Sequence, residues 1–310
     1  MSGEEATSRQ THWANIGEAG FVFGTWILYF VDRWLGRWPF RVLLAPVLVF
    51  YVWRMRVARL ASQEYLRRLG HPAGFWSTFR HVGNFAESLM DKLIAVAGRF
   101  PFSKLKYSGR EVMLESIAIG KGGVLVTAHM GCLEAARLAA EHNKTAKLNV
   151  LVHTRNAERF NAILKRLSPE SQVKLIQVTD VSPATAALLA EKVAAGEFVV
   201  LTADRVPPSD TSGRTVPATF LGATAHFPIG PWVLAAALKC QVVLFSVLRE
   251  GDSYHARFEK LADVIELPRG KREEALSKWI SLYAQKLEGH CRLSPYDWFN
   301  FFPFWEPPRA

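Results

Sequence analysis

The chain has little of several things, and each scarcity excludes something. No run of apolar residues is comfortably long enough to cross a bilayer. Phe21 to Val31 and Val42 to Trp53 both stop short of the ~18 to 20 residues a lone spanning helix needs. Extending the first back to Ile16 gives a borderline span broken by Glu18. Only 3 cysteines occur among 310 residues, at positions 132, 240 and 291. They are far apart and follow no metal-ligand spacing, which excludes a disulfide scaffold and points to reduced thiols in a reducing compartment. Residues 1–15 are polar and show no n-region followed by an h-region, so no cleavable secretory signal is expected. There is no Gly-x-Ser-x-Gly elbow, which counts against a serine hydrolase. No nucleic-acid motif is visible. Acidic residues are outnumbered, 28 against 38 Lys and Arg, for a net charge of +10.

What is present is apolar and basic together. Hydrophobic residues make up 49% of the chain, and the mean hydropathy is +0.05. A basic surface suits anionic lipid headgroups, an acidic carrier protein or nucleic acid. The distribution decides among these. Arg33, Arg37, Arg41, Arg54, Arg56, Arg59, Arg67 and Arg68 flank the two apolar runs, against Asp32 and Glu64, with Trp26, Tyr29, Trp34, Trp38, Tyr51 and Trp53 interleaved. Cations and amphipathic aromatics beside apolar segments mark the cytoplasmic side of a membrane interface. The two runs are expected to form a short hairpin or to lie in that interface, with one full span of the bilayer within residues 16–53 left open. A buried helix pair is the alternative.

The rest of the chain alternates. Residues 55–100 have helical periodicity (Phe75, Phe79, Val82, Phe85, Leu89, Leu93), with Glu87 expected on the solvated side. Residues 101–123 read as a connection. Val124 to Ala128 is a buried strand, and Leu133 to Glu141 begins a helix. A strand at Leu148 to His153, a helix at Asn156 to Leu167 and a strand at Val173 to Val178 follow. Next come a helix at Pro183 to Ala195 with Ser182 as N-cap and a strand at Phe198 to Thr202. Trp232 to Leu238 is a helix, Gln241 to Val247 a strand, Tyr254 to Leu261 an antiparallel edge strand with His255 on its polar face, and Lys271 to Glu288 an amphipathic helix. This order predicts an α/β fold, a mixed, mostly parallel central sheet with helices on both faces, plus an N-terminal apolar, membrane-associated helical region. The expected divisions are a polar N-terminus at 1–15, the helical region at 16–100 and the α/β domain at 101–310.

Chemistry concentrates where Val124 to Ala128 ends. His129 sits at the carboxyl end of a strand, where open α/β sheets place their ligands, and Glu134 follows in the first turn of the next helix. Five residues along one continuous helix is about 140° of rotation, so the two meet only if the Met130-Gly131 bend folds His129 back. A carboxylate on one imidazole nitrogen leaves the other free as a general base. The bland alternative is a hydrogen-bonded structural histidine. Cys132 would be a nucleophile only with His129 turned towards it, and nothing else in the chain suits a thiol enzyme.

The His-x4-Glu pattern behind an apolar strand resembles the lysophospholipid acyltransferase superfamily and, within it, the lipid A biosynthesis (lauroyl/myristoyl) acyltransferase family. The resemblance runs over about residues 20–305 and rests on the order of several segments: His129-Glu134; 151–161 with Arg155; Asp204-Arg205; Val216-Pro217-Ala218-Thr219-Phe220-Leu221-Gly222; and Trp298 to Trp305. It departs from the wider superfamily at Phe227-Pro228-Ile229-Gly230, where Ile229 stands in place of Glu. A glycerol-phosphate acceptor site is therefore not expected. The resemblance implies transfer of a fatty acyl chain from a thioester, on acyl carrier protein or coenzyme A, to a lipid hydroxyl or amine. The setting would be the cytoplasmic face of a bacterial inner membrane. It implies His129 as base, Glu134 as its orienting carboxylate, Arg155 as an anion contact, and Phe220 and Gly222 as parts of the lipid pocket. Arg205 is suited to hold a phosphate or carboxylate bidentately, with Asp204 holding Arg205; a structural ion pair is the alternative. The oxyanion is expected to be held by backbone N–H groups near the His-Gly turn or by Arg205. No metal and no cofactor beyond the acyl donor is implied, nucleic acid is not an expected partner, and oligomeric state is not encoded in any motif. The rival reading is a non-catalytic membrane lipid-binding protein that keeps the fold.

Overall fold

A computed structural model describes residues 24–135, 146–152, 175–177, 183–206 and 214–306. Contacts divide the chain into two compact units, residues 1–54 and 55–310. In the first, residues 24–35 are helical (α1), and α2 spans Arg37–Arg54. Along α2, Phe40, Leu44, Leu48 and Val52 are buried at a four-residue spacing, while Trp38, Val42, Leu43, Val47, Phe50 and Trp53 are exposed. Among the described residues no helix is long and apolar enough to cross a membrane.

The second unit is built on a seven-stranded sheet. It opens with α3 (Arg56–Arg68) and α4 (Phe75–Val96), so these two helices belong with the sheet. The stretch expected to be a mere connection carries β1 (Leu105–Ser108) and α5 (Glu111–Ala118). After it come β2 (Gly123–Thr127), β3 (Leu148–Val152), β4 (Leu175–Gln177), α6 (Pro183–Ala194) and β5 (Phe198–Thr202). The chain then forms a hairpin, β6 (Thr215–Phe220) and β7 (Ala223–Pro228), and continues through α7 (Gly230–Leu238), β8 (Gln241–Glu250), β9 (Ser253–Ala262) and α8 (Arg272–Leu293). The expected helix at 156–167 and the Ser182 cap lie outside the described residues.

The sheet order is β1-β9-β8-β2-β5-β3-β4. β8, β2, β5, β3 and β4 run parallel, and β9 is antiparallel to β8. β9 is not an edge, because β1 pairs alongside it in parallel. The β-strand period of two divides the core. Val124 and Val126 of β2 and Val199 and Leu201 of β5 join α3, α6, α7 and α8 in one cluster. Leu125, Val200, Val243 and Phe245 face the opposite way, against residues of α4 and α5. Helices thus cover both faces, which is why β2 and β5 read as continuous apolar runs rather than alternating ones.

Candidate active site

The geometry of the site follows from one pairing. β2 and β5 are adjacent and parallel, with Thr127 opposite Thr202, and the ladder extends one step as Ala203 N–H donates to the Thr127 carbonyl at 3.0 Å. His129 and Asp204 each lie two residues past that final pair. They leave the carboxyl edge of the sheet side by side. The His129 ring nitrogen Nδ1 lies 2.8 Å from Asp204 Oδ1, and the His129 backbone N–H donates to Oδ2 at 3.0 Å. An ionised carboxylate can only accept, so Nδ1 carries the proton and Nε2 is the basic nitrogen. Asp204 is fully buried, whereas the His129 side chain is 41% exposed.

Burial by itself would raise the Asp204 pKa. The charges of His129 and Arg205 and the hydrogen bonds from His129 outweigh that cost and hold the carboxyl well below the usual carboxylate range. Asp204 is therefore favoured as the anion, with its charge directed at the imidazole. Arg205 Nη2 lies 3.7 Å from Asp204 Oδ2 and donates to the Phe299 carbonyl at 3.0 Å, with its guanidinium over the Phe302 ring. Its Nε is buried and has no hydrogen-bond partner among the described residues.

Glu134 is placed differently from expectation. It pairs with Lys92 of α4, and the carboxylate on His129 Nδ1 is Asp204. The reason lies in the turn between them. Gly131 adopts φ +59° and bridges Val247 of β8, Cys132 N–H donates to the Val247 carbonyl, and Ser88 Oγ of α4 donates to the Gly131 carbonyl at 2.7 Å. The bend is pinned to β8 and α4, and Glu134 leaves it beside α4. The backbone donors of this turn are also engaged: Met130, Gly131 and Cys132 N–H donate to the carbonyls of Ala128, Asp297 and Val247. These three N–H groups are therefore not available for the oxyanion expected there; Arg205 is the other expected group.

The other expected site residues divide. Arg155 lies outside the described residues. Phe220 is fully buried and packs on Trp298, Phe304 and Trp305, so its ring belongs to the core rather than to an open lipid pocket. Gly222 makes the hairpin turn with Leu221, both at positive φ, as a two-residue type I′-like connection requires. Glu87 is not solvated but ion-paired with Arg249 at 2.7 Å, and His255 Nδ1 lies 2.7 Å from a Glu250 carboxylate oxygen. Cys132 is fully buried and its thiol is pushed up to about 12 by burial, which removes it as a nucleophile. Among the described residues no group of three or more His, Cys, Asp or Glu is placed to hold a metal ion.

The sequence alone did not reveal the role of the residues after α8. Phe299 N–H donates to the His129 carbonyl, and Met130 and Trp298 form an antiparallel bridge. Trp298 is fully buried, and its indole Nε1–H donates to Asp204 Oδ2 at 3.1 Å. Asp297 accepts from Asn84, Ser294 and the Arg249 backbone, and burial raises its pKa despite these donors. The segment forms a wall of the site.

A scan against protein-family models and a search of curated proteins both find no match to this chain.

Proposed function

We propose that this protein is an acyltransferase that moves a fatty acyl group from a thioester, carried by acyl carrier protein or coenzyme A, to a hydroxyl or amine of a lipid. The observation that carries the reading is the pairing of exposed His129 with buried, ionised Asp204 at the carboxyl edge of the sheet. Asp204 keeps the proton on Nδ1 and favours the imidazolium that forms when Nε2 takes the acceptor proton. The acceptor oxygen or nitrogen then attacks the thioester carbonyl directly. The tetrahedral intermediate collapses, the carbon–sulfur bond breaks, and the departing thiolate recovers the proton from Nε2. Arg205, whose guanidinium lies 3.7 Å from the Asp204 carboxylate beside the histidine, is the cation we assign to the oxyanion charge. No covalent acyl-enzyme is required, and Cys132 is unsuited to form one. The resemblance to the lipid A acyltransferase family and the exposed aromatic and basic residues of α1 and α2 support a lipid acceptor and attachment to the cytoplasmic face of a bacterial inner membrane.

The test is transfer of labelled acyl groups from each donor into a total bacterial lipid extract. His129→Ala should lower the rate by ~10² to 10⁴, the usual contribution of a positioned general base. Asp204→Asn should cost a comparable factor by allowing the wrong tautomer. Glu134→Ala should cost much less, since its ion pair is with Lys92. Lipid binding without transfer in the wild type would favour the non-catalytic reading. Full activity in Asp204→Asn would remove the dyad.

A further inference from the structure

Asp204 is the hinge of the proposed chemistry, and what holds Asp204 itself is the open question. The terminal torsion of an aspartate is broad, so a buried carboxylate must be fixed by its surroundings. Oδ1 meets His129 Nδ1, and Oδ2 receives two donors, the His129 backbone N–H and the Trp298 indole N–H. We propose that Trp298 is a positioning residue for acyl transfer. Its indole N–H fixes the plane of the Asp204 carboxylate so that Oδ1 stays on His129 Nδ1 and Nε2 stays free as the base. The inference rests on the acyltransferase reading for its catalytic consequence, but its geometry stands without that reading.

Trp298 is built to do this. Its ring is wedged between Tyr65, Phe220 and Phe304, with centroids 5.0, 5.3 and 4.9 Å away. Its backbone is tied independently: His81 Nε2 lies 2.8 Å from the Trp298 carbonyl, and Ser62 Oγ lies 2.9 Å from His81 Nδ1. A carbonyl only accepts, so His81 Nε2 is the donor and Nδ1 accepts from the Ser62 hydroxyl. His81 is buried and thereby kept neutral, which preserves this tautomer. The chain of contacts from α3 through α4 to Trp298 orients an indole that has only two side-chain torsions. It is not a proton path, because the Trp298 carbonyl passes nothing on.

The test has two readouts. In the resting wild-type protein, 15N spectra of labelled histidine should show His129 protonated at Nδ1; Trp298→Phe should move the population towards the Nε2–H tautomer. In acyl transfer, Trp298→Phe should lower kcat about tenfold with KM little changed, the scale of losing one hydrogen bond to a charged group. In an Asp204→Asn background the same substitution should cost less than about twofold, because the group it acts through is already gone. A packing role predicts otherwise: tautomer unchanged and rate losses that multiply. Either result overturns the proposal. Should Trp298→Phe fail to fold, the Trp298 indole proton is compared in wild type and folded Asp204→Asn. An upfield move on loss of the charged acceptor supports the bond, and an unmoved resonance overturns it. A wild type that transfers no acyl group defeats the acyltransferase reading alone, since the tautomer is read without substrate.

Discussion

At the scale of single residues, the chain hides polar groups where titration becomes measurable. His81 is buried in α4, and desolvation lowers its pKa from 6.5 to about 4. As pH falls, the unfolded chain takes up this proton before the folded one does. The stability contributed by neutral His81 is therefore complete above about pH 6.5 and is lost as pH falls towards 4, a full difference of ~3 kcal/mol. His290 is lowered in the same direction, again chiefly by burial. Urea unfolding at pH 7 and pH 4.5 should show the drop, and a His81→Gln variant should show a shallower one. An equal slope in both proteins would remove His81 as its source. His129 and Asp204 were legible one at a time, each as a polar residue ending an apolar strand. Their partnership was not, because it needs the neighbour relation of β2 and β5. Equal offsets past two β-branched-rich runs were a signal available in the sequence. Trp298 gave no such hint: an indole N–H aimed at a carboxylate and one sealing a core have the same sequence.

At the scale of elements, the turn after β2 is the most constrained piece. A Cβ at Gly131 would run into the Val247 carbonyl, a backbone atom that cannot step aside, and φ +59° is unfavourable for any other residue. Gly131→Ala should cost about 2 kcal/mol or more in equilibrium unfolding, and the acyl transfer proposed above should fall further because His129 is displaced. A loss under about 0.5 kcal/mol would mean that β8 and the turn adapt easily. The apolar strands and long amphipathic helices were readable because their periodicities are strong. Three elements were obscured for separate reasons. β1 alternates weakly over four residues. The β6–β7 hairpin turns on Leu221-Gly222, not on an Asn-Gly pair. Along α4 the core-facing side includes His81, Ser88 and Asp91, so apolar spacing alone misjudged what that helix buries. Ser88 serves the turn and His81 the Trp298 carbonyl, while Asp91 joins the network around Arg249, where Tyr254 donates to Asp91 at 2.5 Å.

At the scale of the whole molecule, the unequal charge is a claim about surfaces. Trp34, Trp38 and Trp53 are 73%, 74% and 70% exposed, and the first unit also exposes Arg33, Arg41 and Arg54. If this region meets anionic lipid, each arginine near the surface contributes ~1 kcal/mol. Replacing Arg33 and Arg41 with Gln should then weaken binding to phosphatidylglycerol vesicles about thirtyfold, and added salt should shrink the difference as charges are screened. Flotation with vesicles of phosphatidylglycerol and of phosphatidylcholine measures both effects. Equal binding of wild type and variant at low salt would remove electrostatics from the attachment.

The wall supplied by residues 297–299 also imposes an order on biosynthesis. During translation His129 and Asp204 leave the ribosome well before Trp298 does, and the strands that carry them can pair in the meantime. Until residues 297–299 are made, the carboxylate lacks its indole donor and the His129 carbonyl lacks the Phe299 N–H. A chain that stops before residue 297 would therefore have most of the sheet and an unfinished edge beside His129 and Asp204. The histidine motif is completed by residues translated well after it.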